Sequence, residues 1–372
     1  MKLSGVELRR IRIPLVSPFR TSFTTETERE VLLVRAIGTE TEGWGECVAI
    51  TEPLYSPEYV DGAEQVIRDF LLPRLPANVT AAALGPAFAP VKGHEMAKAA
   101  VEMAVLDAEL RLTGTSFSAY LGGTRDRVPA GVSVGIMDSI PELLDHVDAY
   151  LAEGYARIKL KIQPGWDIEP VRAVRERFGD ILLQVDANTA YTRADARHLA
   201  GLDPFDLLLI EQPRPEDDLL GHAKLAAAVT TPICLDESIV SARVAADALE
   251  LGACSIINVK AGRVGGYLEA RRIHDVSVAH GVPVWCGGML ETGLGRAANL
   301  AFAALPGCTL PGDVSASDRY YTRDVTEPFR LVEGLMTVPS GPGLGVAPIM
   351  DFLDELTESS QIVRLDQRTG SS

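Results

Sequence analysis

Five charged residues fall at almost constant intervals through the middle of the chain, each closing a short apolar run. They are Lys161 in ARIKLKI, Asp186 in ILLQVDAN, Glu211 in DLLLIEQP, Asp236 in TPICLDES and Lys260 in SIINVKAG, at intervals of 25, 25, 25 and 24 residues. Runs of this length rich in Ile, Leu and Val read as buried strands. A charge closing a buried strand is costly to desolvate unless it has partners or a task. Five at one period predict strands laid side by side, with their charged ends converging on one site.

What lies between the strands explains the interval. From Val128 onward, apolar runs alternate with amphipathic stretches such as IPELLDHVDAYLAEG, DIEPVRAVRERFG and VSARVAADALELG, and Gly154, Gly179, Gly252 and Gly281 each follow a helix end. Glycine there supplies the left-handed cap that closes a helix. Eight strand candidates can be counted, the last a weak one around CTLPGD. The prediction is an α/β fold: a modified (β/α)8, TIM-like barrel over residues 126–320. Residues 1–125 read as an α+β capping domain. VELRRIRIPL, VLLVRAIG and GWGECVAI form a strand meander, and residues 57–76 and 94–114 are expected to be helical. Between the first two strands, PLVSPFRTSFTTETE is either a plain hairpin connection or a lid whose Phe19 and Phe23 touch a ligand. Residues 321–372 are expected to return to the capping domain, FRLVEGLMTVPSGPGLGV as a hairpin and QIVRLDQRTGSS as a frayed end.

Composition narrows the partners. A net charge of -16 argues against a nucleic-acid backbone, which needs basic surface. No run of apolar residues is long enough to span a membrane, and no secretory core follows the N-terminus, so neither membrane nor export is expected. The five cysteines are scattered without CxxC spacing, which fits free thiols in a reducing cytoplasm.

At the mouth of such a barrel, Asp186, Glu211 and Asp236 would be neighbouring carboxylates. Taken singly, each could cap the next helix or pair with a nearby lysine. Three in register repel strongly in a low-dielectric mouth, and a hard, oxygen-preferring dication, Mg2+ or else Mn2+, is the natural compensation. Lys161 and Lys260 would flank that ion, and Lys159, two residues before Lys161, points the same way. Close ammonium groups and a dication are expected to depress a lysine pKa and leave one as a neutral base. None of the six histidines ends a strand, which disfavours His-ligated zinc and a His base. A metal beside two opposed lysines suits abstraction of a proton α to a carboxylate, with the enediolate stabilised as it forms. A barrel that keeps the fold but only binds is the non-catalytic alternative.

With these residues in place, the sequence resembles the muconate-lactonizing subgroup of the enolase superfamily. KLKIQPGWD, VDANTAY, IEQP, LDES, NVKAGRVGGYLEA and WCGGMLETGLGRAAN are most similar to the o-succinylbenzoate synthase / N-acylamino acid racemase family. The resemblance covers nearly the whole chain. It implies metal ligation by Asp186, Glu211 and Asp236 (Mg2+, with Mn2+ or Co2+ in its place) and acid/base roles for Lys161 and Lys260. It further implies substrate contacts at Phe19, Ser133, Lys159, Asn188, Gly288, Met289, Leu290 and Tyr320. Arg263 matches a family arginine that would perturb Lys260, although at this position it also reads as a surface arginine starting a helix. The implied activity is racemisation of N-acyl (N-succinyl) amino acids, or the dehydration forming o-succinylbenzoate in menaquinone synthesis. Muconate-type cycloisomerisation is the alternative that uses the same groups. A small carboxylate substrate and a homo-oligomer, from dimer to octamer, are implied as well. GDVSASD at the eighth strand departs from the DxD of dipeptide epimerases, which argues against a free-amine dipeptide.

Overall fold

In the computed structural model, which describes residues 1–365, the chain divides its strands among three sheets. The first is antiparallel. β1 (Leu3–Arg20), β2 (Thr25–Gly38) and β3 (Glu42–Cys47) follow one another, and β1 and β2 form one long hairpin closed by a tight turn in which Thr21 N–H donates to Thr24 O. Helices α1 (Val60–Val66), α2 (Ala81–Phe88), α3 (Glu95–Thr113) and α4 (Phe117–Leu121) come next. The apolar stripe read from the sequence, Met96, Ala99, Met103, Leu106 and Leu110, is buried on α3. The helix is in fact buried well beyond that stripe, because β3 lies against it through Gly43 and Gly45. A methyl group at Gly45 would overlap the Ala100 carbonyl, so only glycine permits the approach.

After β4 (Arg127–Pro129) the chain enters the barrel. Its strands are β5 (Gly131–Val134), β6 (Arg157–Lys161), β7 (Leu183–Asp186), β8 (Ile210–Glu211), β9 (Ile233–Leu235), β10 (Ile256–Val259) and β11 (Val284–Cys286), hydrogen-bonded in that order and all parallel. The intervening helices are α5 (Ile140–Glu153), α6 (Ile168–Phe178), α7 (Ala196–Leu199), α8 (Leu219–Ala226), α9 (Ala242–Glu250), α10 (Tyr267–Ala279) and α11 (Gly293–Ala303). Gly154, Gly179, Gly252 and Gly281 all have positive φ, as expected of helix-ending glycines.

The eighth position is not a regular strand. Residues 308–312 instead close the ring through isolated parallel bridges, Val284 to Cys308 on one side and Ala130 to Gly312 on the other. Pro311 cannot donate to a ladder, which limits this segment to single bridges.

The hairpin β12 (Leu331–Val332) and β13 (Leu335–Thr337) pairs with β4, and the residues after it pack on the helices of the N-terminal region, where Gly343 bridges Ser116 and the Leu344 N–H donates to Asp107 on α3. One expectation for the C-terminal segment needs correction. The stretch beginning at Gln361 does not fray over Gln361–Arg364. After α12 (Met350–Leu356), β14 (Thr357–Arg364) pairs antiparallel with β1 and becomes an edge of the capping sheet. Its residues are mostly exposed, so backbone pairing without an apolar face holds it there. Residues 366–372 lie outside the described residues.

Candidate active site

The barrel register sets the site. Lys161 pairs with Asp186 across β6 and β7, Asp186 pairs with Glu211 across β7 and β8, and Asp236 and Lys260 each follow their strand by one residue. All five are buried. β6 and β10 stand four places apart around an eight-membered ring, so Lys161 and Lys260 face each other across the mouth with the three carboxylates along the arc between them.

Each carboxylate has an ammonium partner. Lys161 Nζ is 2.6 Å from Asp186 Oδ2 and donates to Asn188 Oδ1 at 2.6 Å. Lys260 Nζ is 2.6 Å from Asp236 Oδ2. Lys159 Nζ reaches Glu211 at 3.1 Å, Asp186 at 3.3 Å and Asp313 at 2.6 Å. Burial alone would raise the Asp186 carboxyl, but Lys161, Lys159 and Lys260 hold it well below the usual range. For Glu211 the balance reverses: burial and the adjacent Asp186 push it up to about 8 against the pull of Lys159.

Burial pulls Lys260 down, yet with no metal present Asp236, Tyr55, Glu237 and Glu211 outweigh it, and its pKa stands well above the ordinary value. Lys159 is raised in the same way by Asp313, Glu211 and Asp186. With carboxylates this close, a buried ammonium is stabilised more by its partners than it is penalised by desolvation.

The described residues contain no ready-made cluster of three His, Cys, Asp or Glu ligands. The donor set nonetheless fits a hard dication. It offers only carboxylate oxygens from Asp186, Glu211 and Asp236, and Asp236 Oδ1 is buried without a hydrogen-bond partner, its nearest cation being Arg263 Nε at 3.4 Å.

Neighbouring side chains hold these groups. Asn258 Nδ2 donates to Glu211 Oε1 at 2.6 Å. Gln212 Oε1 accepts from the backbone N–H of Asp236 at 3.0 Å, tying the ends of β8 and β9 together. Asn188 Nδ2 donates to Glu237 Oε1 at 2.9 Å, which fixes the amide that receives Lys161. Asn188, Gln212 and Leu290 all have positive φ, a strained conformation for non-glycine residues, and all three sit at strand ends around the mouth. Arg263 is buried, not on the surface, and ion-pairs with Asp236.

A small cavity of about 60 Å³ remains above these groups. Lys161, Lys260, Lys159, Phe19, Ser133, Asn188, Gly288, Met289, Leu290 and Tyr320 all line it, so the structure brings together every substrate contact anticipated from the sequence. Asp186, Glu211 and Asp236 lie beneath them, and Arg263 stands behind Asp236 rather than at the cavity. Phe23 and Tyr55, with rings 5.8 Å apart, both line this cavity, so the 20s hairpin reaches the site as well as connecting β1 to β2.

Sequence reasoning missed Asp313, Asn258 and Glu237. Asn258 was accessible by the same two-residue spacing that links Lys159 to Lys161, since it stands two before Lys260. Asp313 pairs with Arg157 at 2.8 Å as well as with Lys159, and both cations lie over the Trp285 ring. Its backbone belongs to the irregular eighth segment, which carries little strand signal.

An opposed pair of lysines around buried carboxylates, at the open end of a parallel barrel under an antiparallel cap, defines a barrel enzyme site built for charged, oxygen-rich small molecules. Residues 5–122 match the N-terminal domain of the mandelate racemase / muconate lactonizing enzyme family, and residues 142–352 match the enolase C-terminal domain-like family. The chain belongs to this enolase-type family of mandelate racemase and muconate lactonizing enzymes. It is 69% identical over 360 residues to an N-succinylamino acid racemase of an Amycolatopsis species, covering 96% of this chain and 98% of that one. It is 47% identical to an o-succinylbenzoate synthase of Geobacillus kaustophilus, covering 93% of each. Among solved structures, an enolase superfamily member from Listeria innocua superimposes with a TM-score of 0.94 at 38% identity, covering 98% of this chain and 99% of that one.

Proposed function

We propose that the protein is a divalent-metal-dependent racemase of N-acylamino acids, N-succinyl derivatives above all. The observation that carries this is the placement of Lys161 and Lys260 on opposite sides of the carboxylate arc. A base on each face of an α-carbon is what inversion requires, because one removes the proton and the other returns it to the opposite face. The 69% identity to an N-succinylamino acid racemase supports the same reading.

Asp186, Glu211 and Asp236 would hold the metal, Mg2+ or in its place Mn2+ or Co2+. When bound, it supplies positive charge to a substrate carboxylate and so acidifies the α-proton. The chain's own residues do the rest. Lys161, oriented by Asn188 and Glu237, takes or gives the proton on one face. Lys260, oriented by Asp236 and Tyr55, does so on the other. Lys159, held by three carboxylates, keeps its charge and offers it to the developing enediolate rather than acting as a base. Phe19, Phe23, Tyr55 and Tyr320 exclude water above the reacting carbon.

A second reading, o-succinylbenzoate synthesis by loss of water, is favoured by the 47% identical synthase. It asks for the same enediolate, with Lys161 first a base and then an acid. We further infer a capping unit over residues 1–125, a barrel unit over 126–320, a cytoplasmic setting and a homo-oligomeric assembly. The deciding experiment incubates the protein with N-succinyl amino acids in D2O with and without Mg2+, Mn2+ or Co2+. Metal-dependent α-deuterium incorporation with inversion is expected. Its absence, with dehydration of the menaquinone-pathway precursor intact, would leave the synthase reading alone.

A further inference from the structure

The cavity above the lysines is too small for the substrate proposed. At about 60 Å³ it has room for little more than the reacting carbon and its carboxylate, whereas ligand pockets for small molecules run to about 300 Å³ or more. Phe19 forms one wall of this cavity and also one wall of a second, of about 360 Å³, on its far side. The second cavity lies between the end of β1, the end of β5 and α5, and Arg319, Tyr150, His146 and Met137 are among its lining.

Arg319 is the unusual group there. Its residue is only 9% exposed. Its guanidinium carbon lies 4.9 Å from the centre of the Tyr320 ring, 5.0 Å from that of Tyr150 and 5.9 Å from that of Phe19. Its hydrogen bond goes to a neutral carbonyl, Ser133 O at 2.9 Å, and among the described residues no side-chain carboxylate reaches it. Arg157 and Arg263, buried to a similar degree, each pair with an aspartate; Arg214 and Arg296 bond only backbone carbonyls, as Arg319 does, but neither of them lines this cavity. Aromatic faces offset part of the cost of burying a cation, but a guanidinium edge is best satisfied by a carboxylate. The other charges at this cavity do not supply one: Asp138 is taken by Arg20 at 3.0 Å, and Glu142 accepts from the Asp138 backbone at 3.2 Å.

We propose that Arg319 and the cavity it lines form the subsite for a second carboxylate, the one at the free end of a dicarboxylic acyl arm such as succinyl. The arm runs from the reacting centre past Phe19, and Arg319 receives its terminal carboxylate. This rests on the racemase reading above and predicts that the protein prefers succinyl to acetyl derivatives. Arg319 then sets specificity and takes no part in proton transfer.

The test compares N-succinyl and N-acetyl derivatives of one amino acid with the wild type and with Arg319→Met. For the N-succinyl substrate KM is expected to rise about 10- to 100-fold in the variant with kcat little changed, as for loss of one charge-assisted hydrogen-bonded pair. The N-acetyl substrate should keep its kcat/KM to within about twofold, and Arg319→Lys should restore part of the loss. An equal loss on both substrates would show Arg319 to be only a prop for Tyr320 and Phe19, and no loss on the succinyl substrate would likewise overturn the subsite. Calorimetric binding of the N-succinyl amino acid to metal-loaded wild type and variant reads the subsite without turnover. Weaker binding to the variant supports it and equal binding refutes it, whether or not racemisation is observed.

Discussion

The phenol oxygen of Tyr55 lies 3.0 Å from Lys260 Nζ, and the same hydroxyl donates to Asp236 Oδ2 at 3.3 Å. A residue of the N-terminal region thereby orients one of the two opposed lysines, whereas among the described residues Lys161 is held by barrel side chains, Asp186 and Asn188. Tyr55→Phe removes this tie while keeping the ring over the cavity. We expect α-proton exchange on the face served by Lys260 to slow about tenfold, the cost of one such hydrogen bond, and exchange on the Lys161 face to change little. Single-turnover deuterium wash-in from each enantiomer separately measures the difference.

Asp236→Asn should abolish metal binding while leaving Lys260 beside a neutral amide. Mn2+ titrated into the wild type is expected to raise its Tm by mass action, and the same addition to the variant should leave Tm unchanged. Without metal the variant should also be less stable, by about 3 kcal/mol or more, because Lys260 and Arg263 lose their shared counter-charge. Thermal and urea unfolding read both effects.

Glu46 on β3 accepts from the backbone N–H groups of Thr292 and Gly295, both at 3.0 Å, at the start of α11. Glu102 on α3 accepts from the Leu268 N–H at 3.1 Å, at the start of α10. Burial pushes the first up to about 7 and the second to about 8 from an ordinary 4.5. Both pKa values are higher in the folded chain than in the unfolded one, so their contribution to stability is full below pH 4.5 and is lost as pH rises through about 7 to 8. The Glu46→Gln, Glu102→Gln double variant is expected to flatten that part of the stability-versus-pH curve, measured by urea unfolding across the window.

His222 acts in the opposite direction. Its Nε2 accepts from the Arg214 N–H at 3.2 Å in a buried position, and burial lowers its pKa to about 4. Its folded pKa lies below the unfolded 6.5, so stability present above pH 6.5 is lost as pH falls towards 4. His222→Gln should remove this acid-side slope.

Gly45→Ala forces a methyl group into the Ala100 carbonyl at the β3–α3 contact. Backbone must move on both elements, and a loss of about 3 kcal/mol is expected. Gly85→Ala, where an added Cβ meets nothing within 4 Å, is the control and should be neutral or slightly stabilising.

Much of the barrel was legible because each strand ends in a residue that breaks its apolar run, and Lys161, Asp186, Glu211, Asp236 and Lys260 mark one end of five strands. The common register of these ends follows from repeated strand–helix units of equal length. The eighth position was faint for a physical reason: Pro311 and Gly312 close the ring with single bridges, which leave no alternating or continuous apolar pattern. Asp313, carried on that segment, was invisible for the same cause. β14 was misread because an edge strand exposed on both faces has no hydrophobic signature. Contacts made across the two units, such as Glu46 on α11 or Tyr55 on Lys260, depend on how the cap sits over the barrel, and local pattern does not encode that.

The pairing of β14 with β1 has a consequence for how the chain is made. Gly5 is partnered by Arg364, so β1 gains its outer neighbour only after every barrel strand, each lying between the two in sequence, has been made. The barrel units, all of them synthesised in between, need no residue of β14 to form their parallel ladder. A nascent chain can therefore assemble its lysines and carboxylates first and seal the sheet that carries the 20s hairpin last.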